Sequence, residues 1–277
     1  MSDVLGDVLA DLAAEGDRLE SVVSGLDEAG WRTPTLAAGW DVATQVAHLA
    51  WTDDAAFAAA TDRQAWDALV LEAIADPEHA VDTAALAAGA GPSSPLLERW
   101  RAGRVRLAEV LRAYPAGQKM PWYGPPMSAT SMATARLMET WAHSLDVHEA
   151  LGVAPEVSDR IRHIAHLGVR TRRYSFAARG EAAPEAEPRV TLTAPSGDVW
   201  TWGPEEGPET VTGPAYDFCL LVTQRVHRAD TALVATGPGA DRWLDIAQCF
   251  AGPPGTGREP GGAPGGAGAG GPGAGTP

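Results

Sequence analysis

Glu139 and His143 are the residues whose types and spacing most readily do chemistry. They lie four apart in the run Arg136-Leu-Met-Glu139-Thr-Trp-Ala-His143-Ser-Leu-Asp146-Val-His148-Glu149. On a helix that spacing stacks them on one face. Together they can offer a carboxylate oxygen and an imidazole nitrogen to one divalent ion. Asp146, three residues further on, falls near the same face and is placed to orient the imidazole. A third ligand must come from another element. His48 is the candidate, on a second helical segment among Val46, Ala47, Leu49 and Ala50. Bundle cores build metal sites in this way, from side chains on facing helices. A His/Glu/His set suits zinc, with the fourth position left for water or substrate. Ligand type alone leaves nickel, manganese and iron(II) open.

Plainer readings compete. A Glu/His pair at this spacing is common on solvated helix faces. His48 alone fits a hydrogen-bonded helical histidine. His148 follows His143 by five residues and turns about 140° away, so it reads as a surface residue or one supporting the site from outside. His163 and His166 lie among Arg160, Arg162, Arg170, Arg172 and Arg173, as on a solvated basic face. His79 sits beside Pro77 in a loop, and His227 at a helix end beside Arg225 and Arg228. Cys219 and Cys249 fall in apolar helical patterns and read as core thiols. There is no Gly-x-Ser-x-Gly elbow, no phosphate loop and no dinucleotide fingerprint after a strand.

The elements that must position these groups are mostly helices. Apolar residues at helical spacing from Val4 to Leu26 predict a long helix over 3–26. Asp41 is a good N-cap for a second helix through Thr61. A shorter helix is expected over 63–75, a loop over 76–94 and a third long helix over 95–113. Ser128 caps a fourth over 129–151, which Gly152 ends. Four long amphipathic helices make a bundle. After it, 157–179 reads as helix. Val190, Leu192 and the run Asp198-Val-Trp-Thr-Trp202 alternate around Pro195-Ser-Gly-Asp, a hairpin signal. Val211 suggests a third strand, and 217–228 and 240–251 further helices. The expected organisation is a metal-binding bundle over 1–155, an α+β domain over 156–251 and a disordered Gly/Pro-rich tail over 252–277.

Composition bounds the partners. The 277 residues carry a formal net charge of -15, with 21 Lys and Arg against 36 Asp and Glu. A nucleic-acid binder needs a basic face, which this balance does not supply. No apolar run is long enough for a membrane span, and the N-terminus lacks the basic and apolar regions of a signal peptide, so the expected compartment is the cytoplasm. Two cysteines exclude a Cys-rich zinc finger or an iron–sulfur cluster held by this chain alone. A homodimer through exposed apolar faces is expected of such a bundle.

The stretch Trp31-Arg-Thr-Pro-Thr-Leu-Ala-Ala-Gly-Trp-Asp-Val-Ala-Thr-Gln-Val-Ala-His-Leu-Ala-Trp51 resembles the second-helix signature of the DinB-like superfamily, and within it the mycothiol-dependent maleylpyruvate isomerase family. The resemblance covers roughly residues 3–250. It implies that His48 binds metal and that Glu139 and His143 complete the site. It also implies a four-helix DinB-like bundle followed by a small α+β domain. An arginine near the end of the C-terminal helix helps bind the anionic substrate in that family, and Arg225 matches its place. Gln224 stands where a Gly usually precedes that arginine, and Thr44 where an acidic residue often precedes the histidine. The chain also resembles an actinobacterial branch of that family usually described only as metal-binding, whose C-terminal region has been likened to a wyosine-base-formation domain, but this chain has no radical-cluster cysteine motif.

The resemblance implies an enzyme in which a divalent ion, zinc by preference, activates mycothiol or a similar low-molecular-weight thiol. The thiolate would attack a small electrophile in S-transfer or thiol-assisted isomerisation. Arg225 would hold an anionic group and Asp146 would orient His143. Two rival readings are a metal- or ligand-binding module without turnover and a bundle with a structural metal. A structural zinc site is closed by four protein ligands, whereas only three are evident here.

Overall fold

The computed structural model describes residues 3–77, 79–252, 254–255 and 257–261. Helix α1 (Val4–Val23) starts where the Asp3 carboxylate accepts the Gly6 N–H. A single-turn helix α2 (Glu28–Trp31) leads to α3 (Val42–Thr61), capped by the Asp41 carboxylate on the Thr44 N–H. Asp62 then ends α3 and caps α4 (Arg63–Ala75). Helix α5 (Ala80–Gly89) follows, then α6 (Ser93–Ala113) and α7 (Ala129–Leu151). Ser128 caps α7, and Gly152 ends it in the left-handed region that glycine tolerates.

Helices α1, α3, α6 and α7 form the bundle. Helix α3 is enclosed by α5, α6 and α7 and is therefore apolar almost all round. Helix α7 is shared more widely. Met132, Ala133 and Leu137 pack into one end of the bundle and Val147 into the other, while Met138, Trp141 and Ala142 join the core of the C-terminal unit. The residues that carry the candidate chemistry thus sit on two long helices that are mostly buried.

The C-terminal unit contains a 3₁₀ turn at Asp159–Ile161, α8 (Arg162–Arg170), α9 (Arg172–Ala178), β1 (Arg189–Thr193), β2 (Val199–Trp202) and β3 (Thr210–Pro214). Helix α10 (Ala215–Val222), β4 (Val234–Thr236) and α11 (Pro238–Ile246) complete it. The sheet order is β2-β1-β3-β4. Strands β1 and β2 form the expected antiparallel hairpin, with Leu192 opposite Trp200, and β3 runs parallel to β1. Val190, Leu192 and Val211 face the core under Phe218 and Trp243.

Five local expectations change. Residues 76–94 are not all loop, because the Ala-rich stretch 80–89 forms α5. Its end packs so closely on α3 that a Cβ at Gly89 would stand 3.0 Å from the Thr44 Cα. The single helix expected over 157–179 divides at Thr171 into α8 and α9. The helix expected to reach 228 stops at Val222, and Gln224 adopts φ 59°, a left-handed conformation unusual for a residue with a Cβ. The last helix ends at Ile246 rather than 251, and β4 was not anticipated.

The beginning of the Gly/Pro-rich tail is held on the protein. Tyr174 Oη and Gln248 Nε2 donate to the Gly252 carbonyl, Arg179 donates to that of Gly255, and the Gly261 N–H meets the Asp230 carboxylate. Residues 262–277 lie outside the described residues.

Candidate metal centre

His48 projects from α3 toward α7, where Glu139 and His143 share a face one helical turn apart. The Glu139 Oε2 lies 3.2 Å from His143 Nε2 and 3.6 Å from His48 Nε2. The two imidazole rings are 4.5 Å apart, centre to centre. Each of the three residues offers one ligand atom, and these atoms lie within 4.8 Å of one another. Both histidines are nearly buried, whereas the Glu139 side chain keeps 22% of its surface exposed, so solvent reaches the centre at the carboxylate.

The partner of His143 Nδ1 is Gln45, whose Oε1 lies 2.5 Å away. The Gln45 amide nitrogen donates to Thr35 Oγ1, which fixes the oxygen toward the ring. An amide oxygen only accepts, so Nδ1 carries the proton and the Nε2 lone pair faces Glu139. A lone pair and a carboxylate oxygen at 3.2 Å need positive charge between them. Burial, with His48 adding to it, pushes the His143 pKa down to about 4, against the opposing pull of the Glu139 carboxylate on the charged ring. Burial raises the Glu139 carboxyl, but the facing His143 and His48 rings outweigh it and hold it well below the usual carboxylate range. Near neutral pH the set is therefore a carboxylate and at least one neutral imidazole, the form in which these groups ligate a divalent cation.

Asp146, expected to orient His143, makes no hydrogen bond to it. Its Oδ2 stands 3.9 Å from His143 Nδ1, beyond hydrogen-bonding reach, and the contact falls to Gln45. Asp146 is buried and instead receives a 2.7 Å hydrogen bond from Arg225 Nη2 and a 3.3 Å one from Arg258 Nη2. Arg225 also donates to the Thr223 carbonyl. Arg225 is thus held beside the donor set by Asp146, while Asp146 itself makes no hydrogen bond to His143.

Gln45 was missed because a glutamine has no spacing signature. The available signal was an amide among apolar residues one turn before His48 on an enclosed helix, where a polar group requires a partner. Arg258 was missed because it lies 112 residues from Asp146 in the chain. The other histidines stay outside the centre. His148 is buried, not on the surface, and hydrogen-bonds the Ser144 carbonyl. His163 pairs with Asp11 of α1, so that part of the basic face is bonded rather than free. Cys219 and Cys249 are buried, and burial raises both thiols, which leaves them protonated.

A helical bundle with a small α+β appendage, bearing two histidines and a carboxylate on facing helices, defines a class of candidate metal-centred proteins. Comparison places the chain more closely. The mycothiol maleylpyruvate isomerase N-terminal domain family matches residues 12–148, and the wyosine base formation family matches residues 185–236. An uncharacterized protein of Mycobacterium tuberculosis, from strain CDC 1551 / Oshkosh, is 52% identical over 254 residues, covering 91% of this chain and 98% of the relative. Its counterpart from strain ATCC 25618 / H37Rv gives the same figures. The crystal structure of the mycothiol-dependent maleylpyruvate isomerase superposes with a TM-score of 0.58 at 15% identity, covering 86% of this chain and 98% of that one. A histidine-to-alanine mutant of that enzyme gives 0.57. The chain belongs to the mycothiol maleylpyruvate isomerase-like family.

Proposed function

We propose that this protein is a zinc-dependent enzyme that uses mycothiol, or a similar low-molecular-weight thiol, to transfer sulfur to a small electrophile or to isomerise it. His48, Glu139 and His143 are the ligands. The reading is carried by one observation, that Gln45 fixes the His143 tautomer so that its Nε2 lone pair points at the Glu139 carboxylate. A divalent ion bound there lowers the pKa of a coordinated thiol and supplies a thiolate at neutral pH.

The chain's own residues do the rest. Gln45 and the packing of α3 against α7 hold the ligands in place. Arg225 keeps 18% of its side chain exposed, and among the described residues two of its nitrogens are bonded to the protein, so it can still bind an anionic group on the electrophile. Asp146 holds that guanidinium and so positions it. Three ligands leave a coordination place for the thiol, as a catalytic rather than a structural site requires.

The test uses cobalt(II) in place of zinc. Adding mycothiol to the cobalt-loaded protein should produce a sulfur-to-cobalt charge-transfer band, and the His143→Ala protein should not produce it. A cobalt spectrum indifferent to saturating thiol would contradict the reading and favour a structural metal.

A further inference from the structure

A chain of aromatic rings begins at the ligand histidines and leads away from them. Trp40 stacks on His143 at 5.9 Å and touches His48 at 5.3 Å, and Trp51 touches His48 at 6.2 Å. Trp51 in turn stacks with Tyr123 at 6.4 Å. Tyr123 packs on Trp66 at 4.9 Å and on Trp122 at 5.3 Å. Trp66 is the one side chain that α4 buries, so docking of that helix serves chiefly to back this wall. Trp40, Trp51 and Trp122 stay partly exposed, and Tyr123 is 38% exposed.

The wall is stiff. Trp122 and Tyr123 stand on the loop 121–126, whose ends are clamped by paired hydrogen bonds between Met120 and Met127. Pro121, Pro125 and Pro126 restrict it further. A surface ordered in advance binds a ligand with less loss of conformational freedom. Rings that only filled a core would be covered, whereas these keep exposed surface beside a metal centre that opens at Glu139. Aromatic faces favour flat π-systems in offset stacks.

We propose that Trp51 and Tyr123 select the electrophile, and that it is a planar conjugated carbonyl compound carrying an aryl group, beside the one anionic group that Arg225 would hold, rather than a compact dicarboxylate. The inference rests on the proposed thiol chemistry only for the reacting class. In that reaction the thiol sulfur bonds to the β-carbon of the C=C–C=O unit. The displaced π pair takes the thiol's proton at the α-carbon, and no oxidant or reductant is consumed.

Equilibrium dialysis of the zinc-loaded protein without thiol tests the proposal, with benzylidenepyruvate, which carries one carboxylate, as the flat probe, read by its absorbance, and maleate as the compact comparator. Wild type should bind benzylidenepyruvate more tightly than maleate. Trp51→Ala and Tyr123→Ala should each loosen the flat probe about two- to tenfold, and Trp51→Phe should restore most of the loss. Unchanged probe binding in both alanine variants, or equal affinity for maleate, would overturn it. Zinc content measured on the same samples separates the two readings. Zinc retained with no effect on the probe refutes the aromatic selection alone. Wild type without zinc refutes the proposed metal chemistry and leaves the stacking test standing.

Discussion

Gln45 Oε1 stands 2.5 Å from His143 Nδ1, across the seam between α3 and α7. A residue one turn from His48 on α3 thus sets the tautomer of His143, a candidate ligand, on α7. Outer hydrogen bonds of this kind commonly carry about 10–100-fold in metal affinity. Gln45→Leu should therefore weaken zinc retention by about that factor while leaving the helical content unchanged. Competition with a chelator measures it, and an affinity equal to wild type would remove Gln45 from the account.

In the metal-free protein, His143 has a pKa near 4 against 6.5 for the free side chain. Between these values the unfolded chain binds more protons than the folded one. The stability contribution of His143 therefore rises with pH across this window and is lost as the solution is acidified. Urea unfolding at a series of pH values should show that slope, and His143→Gln should flatten it. An identical slope in the variant would contradict the assignment.

The Arg136–Asp53 pair lies one turn further along the same seam, with Nε 2.8 Å from Oδ1 and both side chains almost wholly buried. Burial raises the Asp53 carboxyl, and Arg136 opposes it. Removing one partner leaves a buried uncompensated charge, so Asp53→Ala should cost about 3–5 kcal/mol of unfolding free energy. The double variant Asp53→Leu with Arg136→Met should recover much of that loss. A single variant within about 0.5 kcal/mol of wild type, the range of neutral surface changes, would show that the pair is not held as described.

Gln224 occupies the left-handed region at φ 59° just before Arg225. That conformation costs a residue with a Cβ about 1–2 kcal/mol, partly offset in a glycine variant by the greater freedom of its unfolded chain. Gln224→Gly should therefore match or exceed wild-type stability by up to about 1 kcal/mol. Gln224→Val should destabilise by denaturant unfolding, because β-branched residues tolerate the region poorly. A valine variant as stable as wild type would argue against the described turn.

The candidate ligand set was legible because helical spacing and residue chemistry coincide at Glu139 and His143, and because His48 sits among apolar neighbours on another helix. The resemblance then added weight to all three. The bundle was legible for a similar reason, since Asp41, Ser128 and Gly152 mark helix ends by local chemistry. What escaped was long-range or context-dependent. The Arg258 contact with Asp146 closes across most of the C-terminal unit. Helix α5 looked like loop because Pro77, Gly89, Gly91 and Pro92 flank its alanines. The aromatic wall draws on α3, α4 and two loops, so no single stretch of chain displays it.

The most direct test of the central claim is elemental analysis of purified protein without an affinity tag, with His48→Ala and His143→Ala alongside. The account predicts about one equivalent of zinc in wild type, as a three-ligand site holds, and almost none in either variant, with helicity by circular dichroism unchanged. Full metal content in both variants, or a wild type that neither contains nor takes up a divalent metal on reconstitution, would contradict it.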